Sequence, residues 1–206
     1  MKKAVFIVVL VLILDQTLKF AVKLNMFLGQ EFDVLGKWFI IHFTENNGIA
    51  FGMEFPFAGG KLILTLFRII ACIGIGWYLH KICKTKESTL LIVSVSLILA
   101  GAIGNIIDSA FYGLIFSDSS YHISTLFPKE GGYGTFLHGQ VVDMLYFPVI
   151  KGHFPLWFPF WGGEDFQFFR PVFNIADSSI TVGVFILILS QKKLFKSHVE
   201  EIKTGA

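Results

Sequence analysis

Charged residues are scarce in this chain of 206 residues: Asp, Glu, Lys and Arg together make up only 16%. Hydrophobic residues account for 54%. A soluble domain carries about 25% charged residues, so this balance excludes an ordinary soluble protein. The composition instead predicts a polytopic membrane protein, and we treat residues 1–206 as a single integral membrane domain.

Cysteine and the usual catalytic motifs are also rare or missing. The two cysteines are Cys72, inside an apolar run, and Cys83, in a basic connection. Two such thiols argue against a disulfide framework and against a thiolate metal site, which needs more ligands at closer spacing. The sequence contains no H-E-x-x-H pair, no G-x-S-x-G elbow and no phosphate-binding glycine loop. A zinc peptidase, a serine hydrolase and a nucleotide-binding enzyme are therefore disfavoured.

Long apolar runs are what the chain does have. Four of them lie at about 4–22, 61–79, 89–107 and 175–191. Each is close to the roughly 20 residues that a helix needs to cross the hydrocarbon of a bilayer. Two longer connections, at about 23–60 and 108–174, then lie together on one side of the membrane.

The lysines predict the orientation of these spans. They cluster before the first span, between the second and third, and after the fourth. By the positive-inside rule both termini are then cytoplasmic, and the two longer connections lie outside. The first span lacks a small-residue cleavage site, so we expect a retained helix and not a signal peptide. No basic face with interleaved aromatics accompanies the lysines, so a nucleic-acid partner is not expected.

The two outer connections contain short β-prone stretches. In "KWFIIHFTENNGIAFGM" two such stretches flank Asn46, Asn47 and Gly48, which predicts a hairpin there. The stretch "QVVDMLYF", from Gln140 to Phe147, predicts another strand. The predicted fold is therefore a mainly α membrane protein, with four transmembrane helices and a small extracytoplasmic β-sheet.

The outer connection before the fourth span also carries the aromatic block "HFPLWFPFWGGEDFQFFRP". Its density of Trp, Phe and Pro argues against a regular helix. Two uses are open for it. It forms either an aromatic belt at the membrane interface, where such rings are enriched, or the lining of a lipid-binding groove.

Polar residues within the apolar runs mark candidate sites, because they are costly in a membrane. Asp15 and Lys19 are four residues apart in the first span, and Asn105 and Asp108 are three apart at the end of the third. Each spacing puts both side chains on one helical face, where they either only fix packing or form part of a site. Arg68 in the second span either reaches outward to water or pairs with an outer carboxylate.

Two further carboxylates lie near the outer surface. Asn174 and Asp177 begin the fourth span with the spacing of a helix cap. Asp143 has no such local purpose, since it lies among Val, Met and Leu. If folding brings Asp143 and Asp177 together, one proton is shared between them at neutral pH. Such a pair can activate water against a peptide bond without a metal or a covalent intermediate.

Two non-proteolytic alternatives use the same residues differently. A proton-coupled transporter would use Asp15, Asp108 and Asp177 as titrating sites along a path through the membrane. A non-enzymatic membrane scaffold would leave Asp143 without a role. The transporter needs polar residues near the midplane in more than one span, whereas here they crowd the outer end.

Five motifs, in order along the chain, resemble those of the lipoprotein signal peptidase family, bacterial signal peptidase II. They are "DQTLK" at 15–19, "ENNGIAF" at 45–51, "GNIID" at 104–108, "VVDM" at 141–144 and "FNIAD" at 173–177. The resemblance implies an aspartic endopeptidase in the bacterial inner membrane, with its active site at the outer face. Its implied substrate is a prolipoprotein carrying a diacylglyceryl group on a cysteine, and the cut falls just before that cysteine.

The resemblance also assigns roles to individual residues. It implies that Asp143 and Asp177 are the catalytic pair. The residues that it implies for structural support or substrate positioning are Asp15, Lys19, Asn46, Gly48, Asn105, Asp108, Asn174 and Ala176. It implies no metal and no other cofactor, and its partners are prolipoproteins and membrane lipids. We expect a monomer.

The sequence departs from the family pattern in two places. The family usually has Arg after the Asp of the third-span motif, and this chain has Ser109. We hypothesise that Arg68, from the second span, supplies the missing charge. The connections on either side of Asp143 also look longer than usual, and the extra material forms either a lid or a docking surface.

Overall fold

The computed structural model describes residues 1–47, 59–168 and 171–204. The helices are α1 Lys2–Asn25, α2 Gly60–Lys84, α3 Thr89–Ile107, α4 Gly113–Ile115 and α5 Ile175–Thr204. The strands are β1 Glu31–Leu35, β2 Phe39–Asn46, β3 Val141–Tyr146, β4 Ile150–His153, β5 Asp165–Phe168 and β6 Val172–Phe173. The protein is thus mainly helical with a small antiparallel sheet, as the sequence predicts.

Three helical stretches are long and apolar enough to cross a membrane. They are Lys2–Asn25, Gly60–Lys84 and Thr89–Ile115. The apolar part of α5, Ile175–Gln191, is shorter. Large apolar side chains such as Phe67, Ile70 and Trp77 on α2 are exposed on the protein surface, which suits contact with lipid. The chain is therefore a membrane protein, and the arrangement with four spans stays a prediction.

The third helical stretch extends beyond its predicted end near residue 107. A π-helical turn, Asp108–Tyr112, follows α3 directly and leads into α4. Asp108, Ser109 and Tyr112 are all buried in this turn, so the backbone stays helical to keep their side chains in the interior. The connection that follows this helical stretch thus begins after residue 115 and not at 108. Such π-turns occur frequently at functional sites.

Helix α3 is the centre of the bundle and packs against α1, α2 and α5. Its approach to α5 is especially close, because a Cβ added to Gly101 would lie 2.1 Å from the carbonyl oxygen of Ala176. Small residues permit this close packing of helix backbones in membranes. As a result, the beginning of α5 lies directly beside the second half of α3.

The larger sheet has the strand order β1-β2-β3-β6, and all neighbouring strands are antiparallel. In the central pair, Thr44 lies opposite Asp143, and Glu45 lies opposite Val142. Since side chains alternate along a strand, Val142 and Asp143 point to opposite faces of the sheet. The Val142 face packs on a core formed by Val22, Met26, Phe43, Tyr112, Phe116 and Met144.

Two of the three predicted strands are confirmed as β2 and β3. Strand β2 also forms a hairpin that the sequence did not predict. Its partner is β1, and the connecting turn is residues 36–38. Gly36 begins this turn with a φ of 55°, a conformation that favours glycine. The predicted turn at Asn46–Gly48 extends beyond the end of β2. Gly48 and the ten residues after it, 49–58, lie outside the described residues.

The described residues of the aromatic block form no regular helix, in agreement with its composition. Strand β4, which ends at the first residue of the block, pairs with β5 near its end in a hairpin apart from the larger sheet. Leu156, Trp157 and Phe160 at the tip are almost fully exposed, with Phe160 at 93%. The exposed rings agree with a membrane-interface belt or with a groove lining, and both uses stay predictions.

Candidate active site

Two aspartates from distant parts of the chain lie close together where the sheet meets the helices. Asp143 is on β3 and is only 3% exposed. Asp177 is in the first turn of α5 and is half-buried. Their carboxyl groups interact electrostatically, and the residues around them connect them through hydrogen bonds. Folding therefore brings together the two carboxylates that the sequence singles out.

Asn174 connects these two aspartates. Its Oδ1 accepts a hydrogen bond from the backbone N–H of Asp177 at 2.8 Å, so Asn174 caps α5 as the sequence predicts. Its Nδ2 donates to Oδ1 of Asp143 at 2.7 Å. The capping residue is fully buried and so fixes the beginning of α5 relative to β3.

Two more asparagines donate to the aspartates. Nδ2 of Asn105 donates to Oδ1 of Asp177 at 2.8 Å, and Nδ2 of Asn46 donates to Oδ2 of Asp143. Oδ1 of Asn105 accepts from Nδ2 of Asn174 at 3.2 Å, which joins both halves of the site. Neutral amide groups thus orient both carboxyl groups.

Burial and a nearby negative charge raise the pKa of Asp143 to about 8. Loss of solvation is the main cause, and the charge of Asp177 adds to it. Lys19 and the hydrogen bonds from Asn174 and Asn46 act in the opposite direction. Asp143 is therefore protonated at neutral pH and can donate a proton.

A buried charge cluster supports Asn105. Lys19 Nζ lies 2.8 Å from Asp15 and 2.6 Å from Asp108, and all three side chains are essentially inaccessible. Asp15 and Lys19, one helical turn apart on α1, thus form an ion pair. Lys19 also donates to Oδ1 of Asn105 at 3.1 Å, so the cluster fixes the amide that donates to Asp177.

Asp15 also connects α1 to α5. Its Oδ1 accepts from the backbone N–H of Ala176 at 2.9 Å. Ala176 is fully buried, and its carbonyl oxygen lies against Gly101. Each of the described residues that the sequence singled out for support contacts another member of this network.

The structure adds two residues to which the sequence assigned no role. Gln16 donates from Nε2 to Oδ1 of Asp108 at 2.9 Å and to Asp15 at 3.1 Å. Tyr112 donates from its hydroxyl to Oε1 of Gln16 at 3.0 Å. The signal for Gln16 was its place in the "DQTLK" motif. Tyr112 carried no signal, because its position depends on the π-turn.

Arg68 supplies a positive charge from α2. Its side chain is half-buried and interacts electrostatically with both Asp177 and Asp143. The hydroxyl of Ser109, in contrast, donates to the backbone oxygen of Asn105, at 3.0 Å. The electrostatic interaction agrees with the hypothesis that Arg68 supplies the missing charge, which stays a prediction.

Paired acids, one of them buried and protonated, at the end of a bundle of apolar helices have the arrangement of an intramembrane aspartic peptidase. The model of the peptidase A8 family, Signal peptidase (SPase) II, matches residues 7–193. The chain belongs to the signal peptidase II family, and is an aspartic peptidase.

Sequence relatives agree with this family over almost the whole chain. The chain is 53% identical to a lipoprotein signal peptidase of Porphyromonas gingivalis over 199 residues, which are 96% of this chain and 86% of the relative. A lipoprotein signal peptidase of Amoebophilus asiaticus is 38% identical over 95% of this chain and 80% of its own length. One of Pelodictyon phaeoclathratiforme is 32% identical over 96% and 95%.

Solved structures agree as well. The fold is similar to a bacterial membrane enzyme determined by the in meso method at 2.3 Å resolution, with a TM-score of 0.63 and 26% identity. The match covers 94% of this chain and 89% of that one. A second bacterial membrane enzyme, determined at 1.9 Å, has a TM-score of 0.59 with 93% of each chain covered. The alternative of a proton-coupled transporter gains no support from these comparisons.

Proposed function

We propose that this peptidase removes the signal peptide from diacylglyceryl-modified prolipoproteins, cutting just before the lipidated cysteine, with Asp143 and Asp177 as its catalytic pair. The names of the relatives support the substrate class. The observation that carries the catalytic assignment is Asn174, which hydrogen-bonds the Asp143 carboxyl group and the backbone of Asp177 at once.

The different surroundings of the two aspartates give them different roles in the reaction. Asp177, half-buried and with a donor at its Oδ1, acts as the base that takes a proton from water. Asp143, whose pKa is raised to about 8, donates its proton to the carbonyl oxygen of the scissile bond. The water oxygen attacks the carbonyl carbon, which gives a gem-diol intermediate. Its C–N bond breaks as Asp177 gives its proton to the leaving nitrogen and one hydroxyl of the gem-diol returns a proton to Asp143, which restores the starting pair. No covalent enzyme intermediate is needed.

The supporting residues keep this geometry fixed. Asn46 and Asn174 orient Asp143, and Asn105 orients Asp177. The charge cluster of Asp15, Lys19 and Asp108 holds Asn105, while Ala176 attaches α5 to α1. Preorganised donors of this kind need no rearrangement during the reaction. For Gly48, outside the described residues, the family resemblance alone supports a role.

The membrane supplies the setting of the reaction. We place four spans in the bacterial inner membrane as one domain of residues 1–206, with both termini in the cytoplasm and the catalytic pair at the outer face. The acyl chains of the substrate lie against the exposed apolar helix faces, such as that of Phe67 and Ile70. Burial of a methylene contributes ~0.8 kcal/mol, so lipid binding supplies much of the selectivity. A monomer suffices for this arrangement.

A cleavage assay tests the proposal. The purified chain is incubated with a lipidated precursor peptide and with the same peptide lacking the diacylglyceryl group. We expect cleavage of the lipidated peptide alone, at the bond before the modified cysteine, as mass spectrometry of the products would show. Equal cleavage of both peptides, or cleavage elsewhere, would contradict the proposed substrate.

A further inference from the structure

A second buried lysine, Lys23, lies in the last turn of α1 and has no part in the mechanism above. Its side chain is 0% exposed. Nζ lies 2.6 Å from Oε1 of Glu45 and donates to Oγ of Ser119 at 2.8 Å. Three aromatic rings surround it: Nζ lies 4.9 Å from the ring centre of Tyr133, 5.3 Å from that of Phe116 and 5.8 Å from that of Phe43.

This environment binds the ammonium group in three ways. The carboxylate of Glu45 compensates its charge, the hydroxyl of Ser119 accepts a hydrogen bond, and the ring faces attract it electrostatically. A buried charge that loses its partner is strongly unfavourable. Lys23 therefore fixes Glu45 in one position, with little freedom for either side chain.

Glu45 is next to Asn46, and the two side chains point to opposite faces of β2. Glu45 lies opposite Val142, on the face that packs on the core below the sheet. Asn46 points to the other face, where its amide donates to Asp143. The position of Glu45 thus decides where Asn46 points.

The contact of Glu45 with Lys23 helps to set the register of the last residues of β2 against β3. The pairing of β2 with β3 shifts between Ile41 and Thr44, so the register of the last residues is not set by the strand before them. A slip by one residue would reverse the direction of every following side chain. Asn46 would then leave Asp143, and Glu45 would meet the catalytic carboxylates.

We propose that Lys23 is a positioning residue of the peptidase: by holding Glu45 in the aromatic enclosure, it keeps Asn46 hydrogen-bonded to Asp143. The proposal rests on the proposed function for its effect on catalysis. Its structural part, the link from Lys23 through Glu45 to Asn46, is measurable without any substrate.

The change expected at Asp143 has a defined sign. Asp143 interacts with Asp177 from α5, Lys19 from α1, Arg68 from α2, and the amides of Asn46 and Asn174. Loss of Lys23 changes only the bond from Asn46 among these. Because that bond lowers the pKa of Asp143, its loss raises the pKa further. Asp143 then stays protonated to a higher pH, and the alkaline limb of the plot of kcat against pH moves to higher pH.

The test is the variant Lys23→Met of the full chain in lipid nanodiscs. We expect kcat for a lipidated precursor peptide to fall between about tenfold and about a hundredfold with KM little changed, since small displacements at a catalytic centre have effects of that size. We also expect the alkaline limb to move to higher pH. Lys129→Met removes an exposed lysine of the outer connection and should leave both quantities unchanged.

A double variant separates positioning from general damage. If Lys23 acts through Asn46, the alkaline limb of Lys23→Met/Asn46→Ala coincides with that of Asn46→Ala alone. Activity loss without a shift of the limb, or additive shifts in the double variant, would overturn the proposal. If Lys23→Met does not fold, Glu45→Gln removes the same ion pair at constant shape, and the same two results decide.

An infrared titration keeps this result distinct from a failure of the proposed function. The carboxylic acid band of Asp143 is assigned by its loss in Asp143→Asn, and its titration is followed without substrate. Lys23→Met should move the midpoint to higher pH whether or not the wild-type chain cleaves the peptide. An unmoved midpoint overturns the link to Asn46, whereas an inactive wild-type chain overturns only the proposed function.

Discussion

The side-chain amide of Asn174 donates a hydrogen bond to Oδ1 of Asp143 at 2.7 Å. The same residue caps α5 through the backbone N–H of Asp177, so one asparagine sets the distance between the two acids. Local helix capping and the assembly of the site therefore depend on one side chain. Its two roles can be separated by substitution.

Asn174→Ser should keep the helix cap and lose the bond to Asp143, because serine is also a good N-cap but is too short to reach β3. That bond lowers the pKa of Asp143, which is about 8 in the wild type. Its loss should therefore move the alkaline limb of the plot of kcat against pH to a higher pH than in the wild type. The measurement is kcat against pH. An unmoved limb would contradict this account, and Asn25→Ser on the exposed end of α1 is the matched control.

Arg68→Gln tests whether α2 supplies the charge that Ser109 lacks. We expect cleavage to slow by about 10²-fold or more, because a half-buried cation near both aspartates stabilises the ionised member of the pair. Arg68→Lys should retain part of the rate. Lys84→Gln removes an exposed cation at the other end of α2 and should have no effect. An unaffected Arg68→Gln enzyme would remove the hypothesis.

Gly101→Ala tests the close packing of α3 against α5. The added Cβ would meet the carbonyl oxygen of Ala176 at 2.1 Å, so the helices must separate and carry Asp177 away from Asp143. We expect a loss of about 1–3 kcal/mol in stability together with lower activity. Gly76→Ala is the matched control, since nothing lies within 4 Å of its added Cβ. Thermal unfolding in detergent measures the stability of both variants, and the cleavage assay measures their activity. Equal melting temperatures of Gly101→Ala and the wild type would contradict the packing argument.

Lys19→Met should be among the most destabilising single changes in the chain. It leaves Asp15 and Asp108 buried without the cation that lies 2.8 Å and 2.6 Å from them. Removing one partner from a buried ion pair costs about 3–5 kcal/mol. Chemical unfolding in mixed micelles is the measurement, with the exposed Lys129→Met as its reference. A stability within about 1 kcal/mol of the wild type would mean that the cluster does not hold the bundle together.

Local spacing made much of the site predictable from the sequence. Asp15 and Lys19 are one helical turn apart, and Asn174 precedes an apolar run at the distance of a cap, so neighbouring residues alone determine these contacts. Strand β3 was predictable from its β-branched residues. The meeting of Asp143 with Asp177 required an argument from chemistry, since no periodicity connects them.

Other features depend on tertiary structure and left no local signal. The π-turn buries Tyr112, and the sequence around this residue does not indicate either feature. The hairpin turn at Gly36, which connects β1 to β2, had no sequence signal as strong as an Asn-Gly pair. Lys23 looked like an ordinary basic residue at a helix end, since its enclosure consists of residues from β2 and from beyond α4.

The most direct test of the catalytic pair compares Asp143→Asn and Asp177→Asn with the wild-type chain in a cleavage assay on the lipidated precursor peptide. The exposed Asp33→Asn on β1 serves as the control. The account predicts that each active-site variant folds, melts near the wild-type temperature and cleaves no measurable peptide, while Asp33→Asn is fully active. Substantial turnover by either Asp143→Asn or Asp177→Asn would contradict it.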